Sequence, residues 1–139
     1  MISKIPRPLQ SGDGVALVNP AGMLPERFKN QHGYVKAHLK ELGFLVKDMV
    51  IESGWEDAQK RTETLQAAFT DPQVKAILPL CGGARIYDIL SLVDYGVLAS
   101  HPKIICGSSE LSALVVTITE RTDVVTFFGP HLNFLNPKA

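Results

Sequence analysis

Lys103-Ile104-Ile105-Cys106-Gly107-Ser108-Ser109-Glu110-Leu111-Ser112-Ala113-Leu114 is the stretch that decides the fold. Residues 103–106, preceded by Pro102, read as a short apolar strand, and residues 110–120 read as a helix. Only Gly107-Ser108-Ser109 lies between them. A strand that feeds a helix so directly belongs to an alternation of strands and helices, and the same alternation runs through the preceding chain. Residues 14–19 read as a buried strand stopped by Pro20-Ala21-Gly22. Residues 27–42 carry Tyr34, Val35, His38, Leu39 and Leu42 at helical spacing, with Gly43 where a helix-ending glycine belongs. Residues 44–51 form a second strand. Residues 56–69 form a helix closed by Asp71-Pro72. A third strand, 74–80, ends at Cys81-Gly82-Gly83, a short helix is expected over 86–93, and a fifth strand over 124–128. Parallel strands joined by helical crossovers need helices on both faces of the sheet.

The expected fold is therefore α/β: a three-layer, mostly parallel, flavodoxin-like sheet with helices on both faces. The chain has 139 residues, 45% hydrophobic and 20% charged, with a mean hydropathy of +0.09. That suits one compact domain, which buries roughly 68% of the unfolded surface at this size. Lys and Arg total 14, as do Asp and Glu, for a net charge of +0. A balanced chain offers no electrostatic footprint for nucleic acid or an anionic membrane. Two cysteines, Cys81 and Cys106, are too few for a disulfide scaffold. The first residues, Met1-Ile2-Ser3-Lys4-Ile5-Pro6-Arg7-Pro8, show no secretory h-region, and residues 111–118 fall far short of the ~20 needed to span a bilayer. A cytoplasmic setting is expected. Asn133-Phe134-Leu135-Asn136-Pro137-Lys138 reads as the start of a connection, so residues 1–139 are expected to be an N-terminal α/β domain whose C-terminal companion lies elsewhere.

In such a sheet, ligands bind beyond the carboxyl ends of the strands. Four segments fall there: Asn19-Pro20-Ala21-Gly22, Cys81-Gly82-Gly83-Ala84-Arg85, Gly107-Ser108-Ser109-Glu110 and Gly129-Pro130-His131. The third follows the logic of a nucleophile elbow, although the second glycine of Gly-x-Ser-x-Gly is absent. A sharp turn there pushes a serine hydroxyl into the cleft, and the helix start aims N–H groups at the same point. The same letters also read as a plain N-cap by Ser108 or Ser109. Gly82-Gly83 allows close backbone approach and offers N–H donors, or is simply a tight turn. It matches neither a phosphate loop nor a dinucleotide fingerprint. Cys81 and Cys106 read as strand cysteines, and His32, His38, His101 and His131 lack zinc-ligand spacing. His131 reads as a surface loop residue or a base in the cleft, and Trp55 as a partly exposed anchor. No Ser-His-acid set is evident within these residues. A rival class is a non-enzymatic domain that holds an anion or small ligand at the helix starts. Cysteine chemistry is a further rival, disfavoured because neither cysteine sits in Gly-x-Cys-x-Gly.

Taken in order, several segments do more than each alone. Lys60-Arg61, Leu65, Ala68-Phe69, Asp71-Pro72 and Val74-Lys75-Ala76-Ile77 come first, followed by Gly82-Gly83, then Leu90 and Val93-Asp94-Tyr95. Pro102-Lys103-Ile104-Ile105, Gly107-Ser108-Ser109-Glu110-Leu111 and Thr126-Phe127-Phe128-Gly129-Pro130 complete the set. This ordered set resembles the LD-carboxypeptidase family of serine peptidases, which includes the microcin C self-immunity peptidases. The resemblance implies a cytoplasmic, dimeric enzyme without metal or organic cofactor, acting on a peptide substrate. It implies Ser109 as the nucleophile, aligned with the serine of the family's Gly-Tyr-Ser-Asp segment. Oxyanion donors would be the N–H groups of Glu110 and Gly83, with Gly82, Ser108 and Arg85 as substrate contacts. The glutamate and histidine of the triad would come from the C-terminal domain, leaving this domain alone essentially inactive. Substrates would be murein tetrapeptides ending in D-alanine, or peptidyl-adenylate amides. The chain departs from the pattern at Ser108, where the family has tyrosine, at Glu110, where it has aspartate, and at Ala84-Arg85 after the double glycine.

Overall fold

The computed structural model describes residues 3–131. Five parallel strands form one sheet: β1 (Gly14–Val18), β2 (Leu45–Asp48), β3 (Val74–Pro79), β4 (Ile104–Gly107) and β5 (Phe127–Phe128), in the order β2-β1-β3-β4-β5. The crossover helices are α1 (Lys29–Glu41), α2 (Ala58–Thr70), α3 (Tyr95–Ser100) and α4 (Leu111–Thr122). From β1 the chain steps to β2 on one side, then crosses back past β1 to β3. Right-handed crossovers therefore place α1 on one face and the later helices on the other. The packing agrees. Val35 of α1 meets Leu17 and Leu80, whereas Leu65, Leu98, Leu111 and Leu114 of α2, α3 and α4 gather on Ala16, Val18, Ile77 and Ile105. The α/β reading with helices on both faces holds.

Three local expectations need correction. Residues 86–93 do not form an α-helix; a 3-10 turn, Ala84–Asp88, opens the segment, and Ile86 and Ile89 are buried as anchors of that turn. The helix comes later because Asp94 caps it, its carboxylate accepting from Val97 N–H at 3.1 Å. The fifth strand shrinks to Phe127–Phe128, since Val125 N–H and the Lys4 segment pair with each other instead. The second strand ends at Asp48 because the buried Asn19 side chain takes over both backbone groups of Ile51 (2.8 and 2.9 Å). The segment 133–138 lies outside the described residues.

Candidate active site

With this strand order, connections leave β1 in opposite directions, which opens a crevice at the carboxyl edge between β1 and β3. The loops after β1, β3 and β4 meet there, so the topology brings together three of the four segments singled out above. The turn after β5 joins them, because Gly129 N–H bonds Gly107 C=O at 3.2 Å.

Ser109 is the sharpest feature. Its φ is +55°, and Asp123, which ends α4, is the one other non-glycine residue with positive φ among the described residues. An L-residue held in the left-handed region costs about 1–2 kcal/mol and persists only where the surroundings enforce it. Here they do. Gly107 has no room for a side chain, since a Cβ there would stand 2.8 Å from Leu111 Cβ, so α4 starts hard against the end of β4. The chain can turn only within Ser108-Ser109-Glu110, and that leaves Ser109 exposed.

The plain N-cap reading fails. No side chain caps α4; Leu111 and Ser112 N–H bond the backbone carbonyls of Ser108 and Ser109. The hydroxyls go elsewhere. Ser109 Oγ donates to Glu110 Oε2 at 2.7 Å, and Ser108 Oγ lies 3.1 Å from His131 Nδ1. That second contact corrects two expectations: His131 is buried, not a surface loop residue, and a serine–histidine pair does exist, at Ser108. The pairing depends on β5 laying its exit turn on the β4 exit, which residue spacing does not reveal. Burial pushes the His131 imidazole below its ordinary value, partly offset by the charge of Glu110.

The double glycine faces the elbow. A Cβ on Gly82 would stand 2.7 Å from Glu110 Oε2 and 3.6 Å from Ser109 Cβ. The carboxylate of the longer acid at position 110 therefore occupies the space that glycine leaves. The Ser109 hydroxyl, Glu110's own backbone N–H and the His131 charge lower its pKa and keep it ionised. Gly83 abuts Ala21 in the loop after β1, with a Cβ there falling 3.0 Å from the Ala21 carbonyl oxygen. Arg85 is half-exposed; its guanidinium lies over the Trp55 ring at 5.4 Å, and its stem lies beside Gly22. Ser108, Ser109, Glu110 and Gly82 thus cluster, with Gly83 beside them and Arg85 on the outer rim.

Two buried polar side chains beneath this edge have bonding roles that the sequence did not reveal. Asn19, 1% exposed, donates to Gly22 C=O and Ile51 C=O, both at 2.9 Å. Arg61, 1% exposed, donates through Nη1 to Pro20 C=O at 2.8 Å and Arg85 C=O at 2.7 Å. The signal for Arg61 was available: it shares the buried face of α2 with Leu65, Ala68 and Phe69. A cation on an otherwise apolar helix face is there to bond something.

Elsewhere, a cavity of about 490 Å³ lies farther along the same edge, lined by Met23, Leu24, Lys29, His32, Val50 and Glu52 among others. It does not include Ser109. Cys81 and Cys106 form no disulfide, and burial raises the Cys106 thiol, which disfavours a thiolate nucleophile there. Among the described residues no three His, Cys, Asp or Glu side chains stand together as a metal site, and no helix is long and apolar enough to cross a membrane.

An exposed serine with positive φ thus stands at a strand-to-helix turn, set against a glycine pair. The chain is similar to several known proteins. The "Probable murein peptide carboxypeptidase" of Bacillus subtilis (strain 168) is 34% identical over 133 residues, covering 92% of this chain and 41% of that protein. The microcin C7 self-immunity protein MccF of Escherichia coli is 31% identical over 74 residues, covering 53% of this chain and 22% of that protein. The crystal structure of an MccF-like protein from Bacillus anthracis str. Ames superposes with a TM-score of 0.83 at 32% identity, covering 94% of this chain and 41% of that one. The chain spans about two fifths of the length of the curated relatives that match most of it. The model of the LD-carboxypeptidase N-terminal domain matches residues 15–129, and the chain therefore belongs to peptidase family S66.

Proposed function

We propose that this chain is the nucleophile-bearing domain of a serine carboxypeptidase that hydrolyses an L-D peptide bond, releasing D-alanine from a murein tetrapeptide. The single observation that carries the reading is Ser109 at φ +55°, exposed on the β4–α4 turn with its Cβ 3.6 Å from the position a Gly82 Cβ would take. Ser109 Oγ attacks the scissile carbonyl carbon and the carbonyl π electrons move onto its oxygen. The N–H groups of Glu110 and Gly83 receive that oxyanion. The serine proton passes to a base and then to the departing amine of D-alanine, and water hydrolyses the acyl-serine. In the resting arrangement the hydroxyl donates to Glu110 Oε2. A carboxylate held ionised beside the reacting oxygen is a weak base and would repel an oxyanion, so Glu110 swings aside when substrate binds and its backbone alone takes part. Ser108, Gly82 and Arg85 contact the peptide.

The histidine and glutamate of the triad belong to another part of the complete protein, which works as a cytoplasmic homodimer without metal or cofactor; these points rest on the family resemblance. Residues 1–139 alone are then essentially inactive, since a serine hydroxyl without its base is a poor nucleophile. The test is D-alanine release from L-alanyl-γ-D-glutamyl-meso-diaminopimelyl-D-alanine by the complete protein. Ser109→Ala is expected to lower turnover by at least about 10³-fold without loss of fold. Turnover that survives the substitution refutes the assignment. A peptidyl-adenylate amide run beside the tetrapeptide distinguishes the two substrate branches, because the relatives include a microcin C7 self-immunity protein.

A further inference from the structure

We propose that Arg61 is the positioning residue of this site, holding the double-glycine turn in register with Ser109; the inference rests on the nucleophile assignment above. Arg61 is among the largest fully buried side chains, and its own side-chain exposure is 0%. Its Nη1 reaches two carbonyls on two different loops, Pro20 after β1 and Arg85 after β3. Both lie close to where those loops touch, Gly83 against Ala21. The Gly83 carbonyl in turn accepts from Ile86 N–H at 3.1 Å, so the bond at Arg85 fixes the 3-10 turn that Gly83 opens. On its far side the same turn presents Gly82 to Ser109 and Glu110. One guanidinium thus sets the height of the oxyanion-side loop relative to the nucleophile.

Stability alone is a poor account of this residue. Its Nε is buried with no hydrogen-bond partner, and its acid partner, Asp88, is 47% exposed at 3.2 Å. A buried cation with an orphaned donor and a solvent-facing counter-ion gains little over a well-packed apolar side chain. What an apolar residue cannot do is bond both loop carbonyls at once. Misplacing a catalytic group by 1 Å costs on the order of 10²-fold in rate, and removing one oxyanion donor costs about 10²–10³-fold in kcat.

The test is steady-state kinetics of the complete protein on the tetrapeptide for Arg61→Met, Arg61→Lys and Ser109→Ala, with active sites counted by fluorophosphonate labelling. Arg61→Met removes both bonds and is expected to lower kcat per labelled site by about 10²-fold, with KM changed less than about threefold. Arg61→Lys keeps the charge on a stem one atom shorter and is expected to fall between, near 10-fold. Should Arg61→Met fail to fold, Arg61→Lys decides, because this fold already buries the Lys103 ammonium between the Asp71 and Val74 carbonyls. A merely structural role would reduce the labelled fraction and leave kcat per site untouched. Wild-type kcat per labelled site in the Arg61 variants, or a loss in KM alone, overturns the inference. If Ser109→Ala also keeps its turnover, the nucleophile assignment falls instead.

Discussion

Comparing Ser109→Gly with Ser109→Ala isolates the strain on which the site depends. Both lose the hydroxyl and its bond to Glu110, so their difference reports the backbone cost of φ +55° and glycine's unfolded-state entropy. Alanine keeps the Cβ that clashes in the left-handed region, at about 1–2 kcal/mol, whereas glycine enters it freely. Glycine's larger unfolded-state entropy returns about 0.4–1 kcal/mol. The expected net is that the glycine variant is more stable by about 0.5–1 kcal/mol. For a domain of this size the unfolding entropy near the midpoint is about 0.3 kcal/mol/K, so the melting temperatures should differ by about 2–3 °C. Thermal unfolding followed by far-UV circular dichroism measures this directly. An alanine variant clearly more stable than the glycine variant would refute the strained turn and remove the main support for Ser109 as nucleophile.

Gly82 and Gly107 should respond differently to a methyl group. At Gly82 the clash is with the tip of a flexible acid, so Gly82→Ala should cost less than about 1 kcal/mol in denaturant unfolding, yet the methyl, 3.6 Å from Ser109 Cβ, should crowd the nucleophile and lower kcat at least about 10-fold. At Gly107 the clash is with Leu111 Cβ at the start of α4, and Gly107→Ala should cost about 1–3 kcal/mol. Acid should weaken the fold through His131. Its folded pKa is lowered, so between the folded value and the ordinary 6.5 the unfolded chain binds the extra proton, and stability falls as pH drops through that window. His131→Gln should flatten the decline seen in urea midpoints between about pH 7 and pH 5, and parallel slopes for variant and wild type would contradict it.

The sheet was legible because its strands carry dense apolar runs and its turns carry glycine and proline. β1 and β3 are almost continuous apolar segments, and they end at Val18 and Pro79, shortly before the Pro20 and Gly82 turns. The sharp turn was legible because only Gly107 and two serines join β4 to α4, but whether a serine side chain caps the helix was not. The helix over 86–93 was misread because Ile86, Ile89 and Val93 keep a helical spacing that a 3-10 turn and the following turns satisfy equally well. The capping aspartate at 94 was the better signal, and Gly96 obscured it. The links that complete the site, Ser108 with His131 and Arg61 with two loops, join residues 23 to 41 positions apart. Such links depend on which strand exits become neighbours, and local patterning carries none of that information.

The pairing of Lys4 with the segment before β5 has a consequence for how the domain assembles. Lys4 N–H bonds Asp123 C=O at 2.6 Å, and Val125 N–H bonds Lys4 C=O at 2.9 Å. The Lys4 segment is thus stitched to the run just before β5, across a loop whose closure must await everything between. During synthesis the Lys4 segment has no mate until the chain has been made as far as Val125. A bulky insertion placed right before Lys4 would sit at a seam that closes late, where it is well placed to hinder folding.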